Sequence, residues 1–151
     1  LGLQHAELLI GEHFPQLADI IASAGQALLL FPDPDGDPLT VLAQPPVGHP
    51  PLLIVPDGTW RKARKIVHDN PILNTLPRLS LPPGEPSRYR VRKATEPGAV
   101  ATIEAIVRAL AVLEPQQDFH PLLQPFEVLV DQQIDAMGDA VYRRNHSSWN
   151  F

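Results

Sequence analysis

The stretch Leu52-Leu53-Ile54-Val55-Pro56-Asp57-Gly58-Thr59-Trp60-Arg61-Lys62-Ala63-Arg64-Lys65 constrains the fold more than any other part of the chain. Its four leading apolar residues read as a buried strand. Pro-Asp-Gly then turns the chain, and Thr59 is a good N-cap for the basic helical pattern that follows. Strand, turn and helix start in one piece put an acidic side chain, Asp57, at the carboxyl end of a strand. In open α/β sheets that edge is where ligands bind.

The rest of the chain supplies alternating elements. Phe14–Ala24 carries Leu17, Ile20 and Ile21 at helical spacing, and Gly25 ends it. Ala27-Leu28-Leu29-Leu30-Phe31 is a short buried strand stopped by Pro32-Asp33-Pro34-Asp35-Gly36-Asp37, and Leu39–Ala43 is a weaker strand candidate. The helix capped by Thr59 runs to about His68 and ends at Asn70-Pro71. Arg78–Leu81 and Ser87–Arg92 are short extended pieces between prolines. Ala99–Leu113 is the clearest helix, with Ile103, Ile106, Val107, Leu110 and Leu113 on one face. Pro121–Met137 is a further helix that turns Leu122, Phe126, Leu129, Val130, Ile134 and Met137 inward, with Pro125 interrupting its start. Strands alternating with helices indicate a parallel α/β sheet in one domain spanning residues 1–151.

Composition narrows the function classes. A chain of 151 residues is one domain by length, and its 44% hydrophobic and 19% charged content is that of a globular protein. The eighteen prolines fall mostly in clusters and mark loops. There is no cysteine, hence no disulfide framework, thiol chemistry or cysteine-based zinc site in this stretch. The six histidines make no metal-binding pair, and His68, His120 and His146 read as structural. No metal is expected. No apolar run approaches the roughly 20 residues of a membrane span, no signal peptide is visible, and the expected location is cytoplasmic. The chain opens at Leu1 and its one methionine is Met137, so the expectation is that a preceding segment is missing.

Net charge is −5, but it is unevenly spread. Residues 1–56 hold six acids and no Lys or Arg; residues 57–93 hold nine bases against three acids; residues 94–151 hold eight acids and three bases. The central basic block is either a solvated helix face with a charged loop or a phosphate-binding surface. The tail from Tyr142 to Phe151 is basic and aromatic, with Arg143, Arg144, His146 and Trp149. It is read as reaching over RNA, docking on a neighbouring subunit or, in preference, packing on its own domain.

Asp57-Gly58-Thr59-Trp60-Arg61-Lys62-Ala63-Arg64-Lys65 resembles the signature of the DTW-domain family. Three further pieces are similar in the same order: Leu28-Leu29-Leu30-Phe31-Pro32, Ser87-Arg88-Tyr89-Arg90-Val91-Arg92-Lys93 and Ala101-Thr102-Ile103-Glu104-Ala105. The resemblance covers residues 26–133. It implies a SPOUT-like fold: a mostly parallel sheet with helices on both faces and a knot in the C-terminal half, where the cofactor sits. It implies tRNA-uridine aminocarboxypropyltransferase activity, in which the 3-amino-3-carboxypropyl group of S-adenosylmethionine moves to N3 of a uridine in tRNA and methylthioadenosine leaves. Many relatives carry an N-terminal cysteine cluster expected to bind zinc. This chain has none, so such a segment either precedes it or is lost in this branch.

The chemistry assigns candidate roles. Uridine N3 carries a proton at neutral pH and needs a base, for which Asp57 is the candidate. An ordinary aspartate is a weak base, so that role calls for partial burial beside Val55 and Trp60, against the opposing pull of Arg61, Lys62 and the helix N-terminus. The plain alternative is that Asp57 turns or caps the chain. Thr59 caps the helix and contacts ligand, and Trp60 either stacks on a base or anchors helix to sheet. Phe31 and Pro32 shape the cofactor wall. Thr102 and Glu104 either stabilise a helix N-terminus or hydrogen-bond the cofactor. Arg90, or else Arg92, is matched to the aminocarboxypropyl carboxylate. Arg61, Lys62, Arg64, Lys65, Arg88, Arg92 and Lys93 are candidates for tRNA phosphates. The partner is tRNA, and a monomer is favoured. The alternatives to transfer are a SPOUT-type RNA methyltransferase and a non-catalytic RNA-binding module.

Overall fold

Ala27–Leu30 (β1) is four apolar residues in succession and all four are buried, as a strand covered on both faces requires. The computed structural model describes residues 3–32, 48, 50–81, 86–91, 99–138 and 141–142. Among them β1 is the central strand of a three-stranded parallel sheet. Leu52–Ile54 (β2) flanks it on one side, with Leu28 opposite Leu53, and Arg78–Leu79 (β3) on the other, with Leu30 opposite Leu79. All three strands point the same way, so their carboxyl ends share one edge.

Successive side chains of β1 point to opposite faces, and each face has its own core. Leu28 and Leu30 pack with Leu79 against Ala109 and Leu113 of α3 (Thr102–Leu113). Leu29, fully buried, packs on the other face with Leu17 of α1 (Leu17–Ser23), Val67 of α2 (Trp60–Asp69) and Leu73 of the 3-10 turn Pro71–Thr75. Helices therefore cover both faces. A third cluster joins Val107 of α3 to Phe119 and Leu123, just before α4 (Gln124–Met137).

Local chemistry sets the helix ends. Thr59 has extended backbone and its hydroxyl accepts from the Lys62 N–H at 3.3 Å, starting α2. At the other end Asn70 is 3% exposed and fully employed: its amide donates to Ile66 O and Glu12 O, both at 2.7 Å, and its carbonyl accepts from Phe14 N–H at 2.8 Å. One buried side chain thus closes α2 and fastens the N-terminal segment to it. Lys65 and Asp69, one helical turn apart, are ion-paired on the exposed side, and Glu12 joins them at 2.8 Å from Lys65 Nζ.

Four sequence expectations need correction. Ser87–Arg92 is not extended over its described part: residues 90–91 turn, and Arg90 N–H bonds back to Arg88 O at 2.8 Å, so these backbone groups pair locally. The clearest helix starts at Thr102, and the face it lays on the sheet is Ala105, Ala109 and Leu113; Ile103, Val107 and Leu110 pack instead on Phe119, Leu122 and Leu123. Pro125 sits in the first turn of α4, where a missing N–H costs no hydrogen bond, and interrupts nothing. Leu129 is 50% exposed and does not face the core; Val130 is the buried residue of α4. The Leu39–Ala43 strand candidate and tail residues 143–151 lie outside the described residues.

Candidate active site

A cleft of about 440 Å³ lies at the carboxyl end of β2, a size ordinary for small-molecule sites. Asp57, Gly58, Thr59 and Lys62 form one wall, and Ala101, Thr102 and Ile103 form the facing one. The helix periodicity that buries Ala63 and Val67 turns Lys62 away from them. Thr59 and Ala101 are the N-caps of α2 and α3, so the positive ends of two helix dipoles meet the cleft. The walls are tied together by one hydrogen bond: Thr102 Oγ1 donates to Asp57 Oδ1 at 2.5 Å. Tyr89, Phe126 and Leu129 complete the lining with aromatic and apolar surface. Tyr89 and Phe126 are in contact, centroids 5.5 Å apart. The exposed Leu129 is accounted for by this position.

Glu104 is the buried charge behind the cleft, 4% exposed. One carboxylate oxygen accepts from Ser87 Oγ at 2.6 Å and Ala101 N–H at 2.7 Å, and the other from Arg88 N–H at 2.7 Å. The bond to Ala101 N–H is the glutamate half of a capping box. The other two fix the segment that carries Tyr89 into the cleft. With both oxygens engaged and the group out of solvent, Glu104 shapes the wall and fills the helix-stabilising one of the two roles the sequence left open.

The remaining candidates sort by place. Trp60 is half-buried and meets Phe31 edge-on, with centroids 6.0 Å apart, and Arg78 lies over the opposite partner of that pair, 5.8 Å from the Phe31 centroid. That contact anchors the start of α2 to the end of β1, beside the cleft and not in its lining. Pro32 is exposed, its carbonyl accepting from Arg78 Nη1 at 3.2 Å. Arg88 and Arg90 are paired with Glu127 and Asp131, one turn apart on α4, in a groove separate from the Asp57 cleft. Arg61, Arg64 and Lys65 share the solvent face of α2 with His68. Hydrogen bonds to Asp69 and then Glu12 hold the Lys65 ammonium well above its ordinary range. Asp69 is held below its usual value by His68 first and Lys65 second. Arg92 and Lys93 lie outside the described residues. Asp57 itself is exposed, so the burial called for by a base role is not supplied by Val55 and Trp60.

Of the site candidates named from the sequence, Asp57, Thr59, Lys62 and Thr102 line this one cleft; the lining residues Tyr89, Phe126 and Leu129 were given no site role or were assigned to a core face. Tyr89 lay within the quoted Ser87–Lys93 segment and was passed over for its arginines. Phe126 and Leu129 stand three apart on a helix, the same spacing as a core face, and periodicity alone does not separate the two cases. Among the described residues no three His, Asp or Glu side chains converge as a metal site. No described helix is long and apolar enough to cross a membrane.

Fold and cleft together define an α/β domain with a candidate ligand site at the carboxyl edge of a parallel sheet. The DTW domain matches residues 1–134, and the chain belongs to the DTW-domain family. It is similar to tRNA-uridine aminocarboxypropyltransferase 2 of Drosophila melanogaster, 32% identical over 143 residues, covering 89% of this chain and 56% of that protein. It is also similar to the proteins of the same name from Macaca fascicularis, 26% identical over 82% of this chain and 41% of the relative, and Mus musculus, 26% identical over 79% and 40%. The chain thus spans about half the length of the curated relatives it matches. No solved structure matches.

Proposed function

We propose that this domain transfers the 3-amino-3-carboxypropyl group of S-adenosylmethionine to N3 of a uridine in tRNA. Three things support the reading: membership of the DTW family, relatives named for that reaction, and a small-molecule cleft built from the motif residues. The observation that carries it is the Thr102–Asp57 hydrogen bond, which holds a carboxylate at the sheet edge with its second oxygen bonded to no described residue and so left for a substrate proton. The expected setting is the cytoplasm, where tRNA is, with the chain acting as a monomer, and the sheet is compatible with a SPOUT-like arrangement and its knot.

The residues fit such a donor. Tyr89 and Phe126 offer aromatic surface for a purine, Ile103 and Leu129 offer apolar surface for a thioether, and Asp57 and Lys62 supply one charge of each sign. The donor's sulfonium activates the carbon to be attacked, so the protein must choose that carbon and align the nucleophile. Asp57 takes the N3 proton, the bound substrate supplying the cover that Val55 and Trp60 do not. The N3 electron pair forms the N–C bond, the C–S bond breaks, and its electrons stay on sulfur in neutral methylthioadenosine. Thr102 orients Asp57, and Thr59 fixes the turn that carries it. Arg61, Arg64 and Lys65 on α2 present positive charge to tRNA phosphates.

The test is one incubation of the chain with S-adenosylmethionine and unmodified tRNA, followed by mass spectrometry of small molecules and digested nucleosides. Methylthioadenosine with aminocarboxypropyl-uridine is the expected result. S-adenosylhomocysteine with a methylated nucleoside identifies a SPOUT-type methyltransferase instead. tRNA binding without turnover or nucleoside binding identifies an RNA-binding module.

A further inference from the structure

We infer that Lys62 anchors the carboxylate of the amino-acid head group in the cleft, so that the site selects a zwitterionic α-amino acid attached to a nucleoside. This assignment rests on the proposed reading of the cleft and names the residue that recognises the transferred part of the donor.

The argument begins with Gly58. Its φ is +130°, a conformation that side chains rarely adopt, and a Cβ placed there would stand 3.2 Å from Lys62 Cβ and 3.5 Å from Lys62 Cδ. The Lys62 stem therefore lies along the bare Gly58 backbone, in the same cleft that Asp57 lines. Its basic neighbours on α2, Arg61, Arg64 and Lys65, line no part of this site.

Charge accounting points the same way. Lys62 is the one basic residue among the cleft-lining residues, and Asp57 is the one acidic residue. An α-amino acid head carries one anion and one cation, which this pair complements. Three other described cations are engaged elsewhere: Arg88 with Glu127, Arg90 with Asp131, and Lys65 with Glu12 and Asp69. Among the described residues Lys62 makes no ion pair. The α2 and α3 N-termini at the same walls add a field that favours an anion. A flexible ammonium suits this place better than a guanidinium, because the carboxylate must stay held while the carbon chain behind it changes partner from sulfur to nitrogen.

The experiment is calorimetric titration of wild type and Lys62→Met with two nucleosides that do not turn over. S-adenosylhomocysteine has the amino-acid head, and methylthioadenosine lacks it. Lys62→Met is expected to weaken S-adenosylhomocysteine about tenfold, as loss of one charge-assisted hydrogen bond does, and to leave methylthioadenosine within about twofold. Equal weakening of both ligands, or of neither, overturns the assignment while leaving the proposed reaction standing. A loss confined to tRNA affinity, with a shallower salt dependence, returns Lys62 to the phosphate contacts and overturns it as well. Wild type that binds neither nucleoside sinks both this assignment and the reading beneath it.

Discussion

Thr102 Oγ1 and Asp57 Oδ1 meet at 2.5 Å although 45 positions separate them in the chain. The acid lies three positions past the end of β2 and the hydroxyl opens a helix that packs on the same sheet, so their meeting is a product of the parallel topology. Asp57→Asn keeps an oxygen acceptor for that hydroxyl and removes the base. Under the proposed reaction it should lower transfer by about a hundredfold or more. Because Asp57 is exposed, its fold should hold within about 0.5 kcal/mol. Single-turnover rates beside thermal melts check both, and near-normal turnover in this variant would remove Asp57 from the chemistry.

Glu104 should behave in the opposite way. It is 4% exposed and receives three hydrogen bonds. Glutamine offers one oxygen in place of two and adds an N–H facing donors, so Glu104→Gln should cost about 2–3 kcal/mol of stability. Urea unfolding measures it. A loss below about 0.5 kcal/mol would mean the segment bearing Ser87 and Arg88 is held by something else.

The pair Lys65–Asp69 makes a pH statement. Asp69 is lowered in the folded state, by His68 first and Lys65 second. Its contribution is present above the unfolded value, near the ordinary aspartate value of about 3.9, and fades as pH falls through the lowered folded value. Lys65 is raised, so its share is present below the ordinary lysine value of about 10.4 and fades only as pH climbs through the folded value. Asp69→Asn should therefore be less stable than wild type at pH 7, by an amount that shrinks in high salt, and should match it in strong acid. Parallel unfolding curves across that range, differing by the same amount in acid, would contradict the ion-pair account.

The solvent face of α2 predicts a salt-dependent grip. Arg61 and Arg64 are exposed and make no ion pair with a described residue. Replacing both by Ala should weaken tRNA binding similarly across different tRNAs and reduce the slope of log affinity against log salt by about 1–2. Filter binding at several salt concentrations reads this directly. An unchanged slope would move the RNA surface away from α2.

The strands were legible because uninterrupted Leu and Ile runs have few alternatives: Ala27–Leu30 and Leu52–Ile54 form where their composition placed them. Thr59 announced the start of α2 by capping chemistry, and Asn70-Pro71 announced its end. What stayed hidden was which apolar residues face a partner and which face a cleft. Leu129 and Val130 are adjacent, equally apolar and on one helix, yet one is half-exposed and the other buried. Hydrophobicity reports the wish to leave water, not the partner that grants it. Glu104 was left between two roles for the converse reason. A carboxylate near a helix start is usually solvated, and only the donors at Ser87 and Arg88, far away in sequence, explain its burial.

The cleft draws its walls from Asp57, Gly58, Thr59, Lys62, Tyr89, Ala101, Thr102, Ile103, Phe126 and Leu129, so no short stretch of the chain contains it. A ligand that touches the Asp57 side and the Thr102 side at once acts as a removable crosslink between the sheet's edge and a helix from the second half of the chain. Occupancy should then raise the melting temperature of the entire domain in a single cooperative transition, growing with the logarithm of ligand concentration. Shortening the chain before α4 should abolish that response outright instead of diminishing it by degrees.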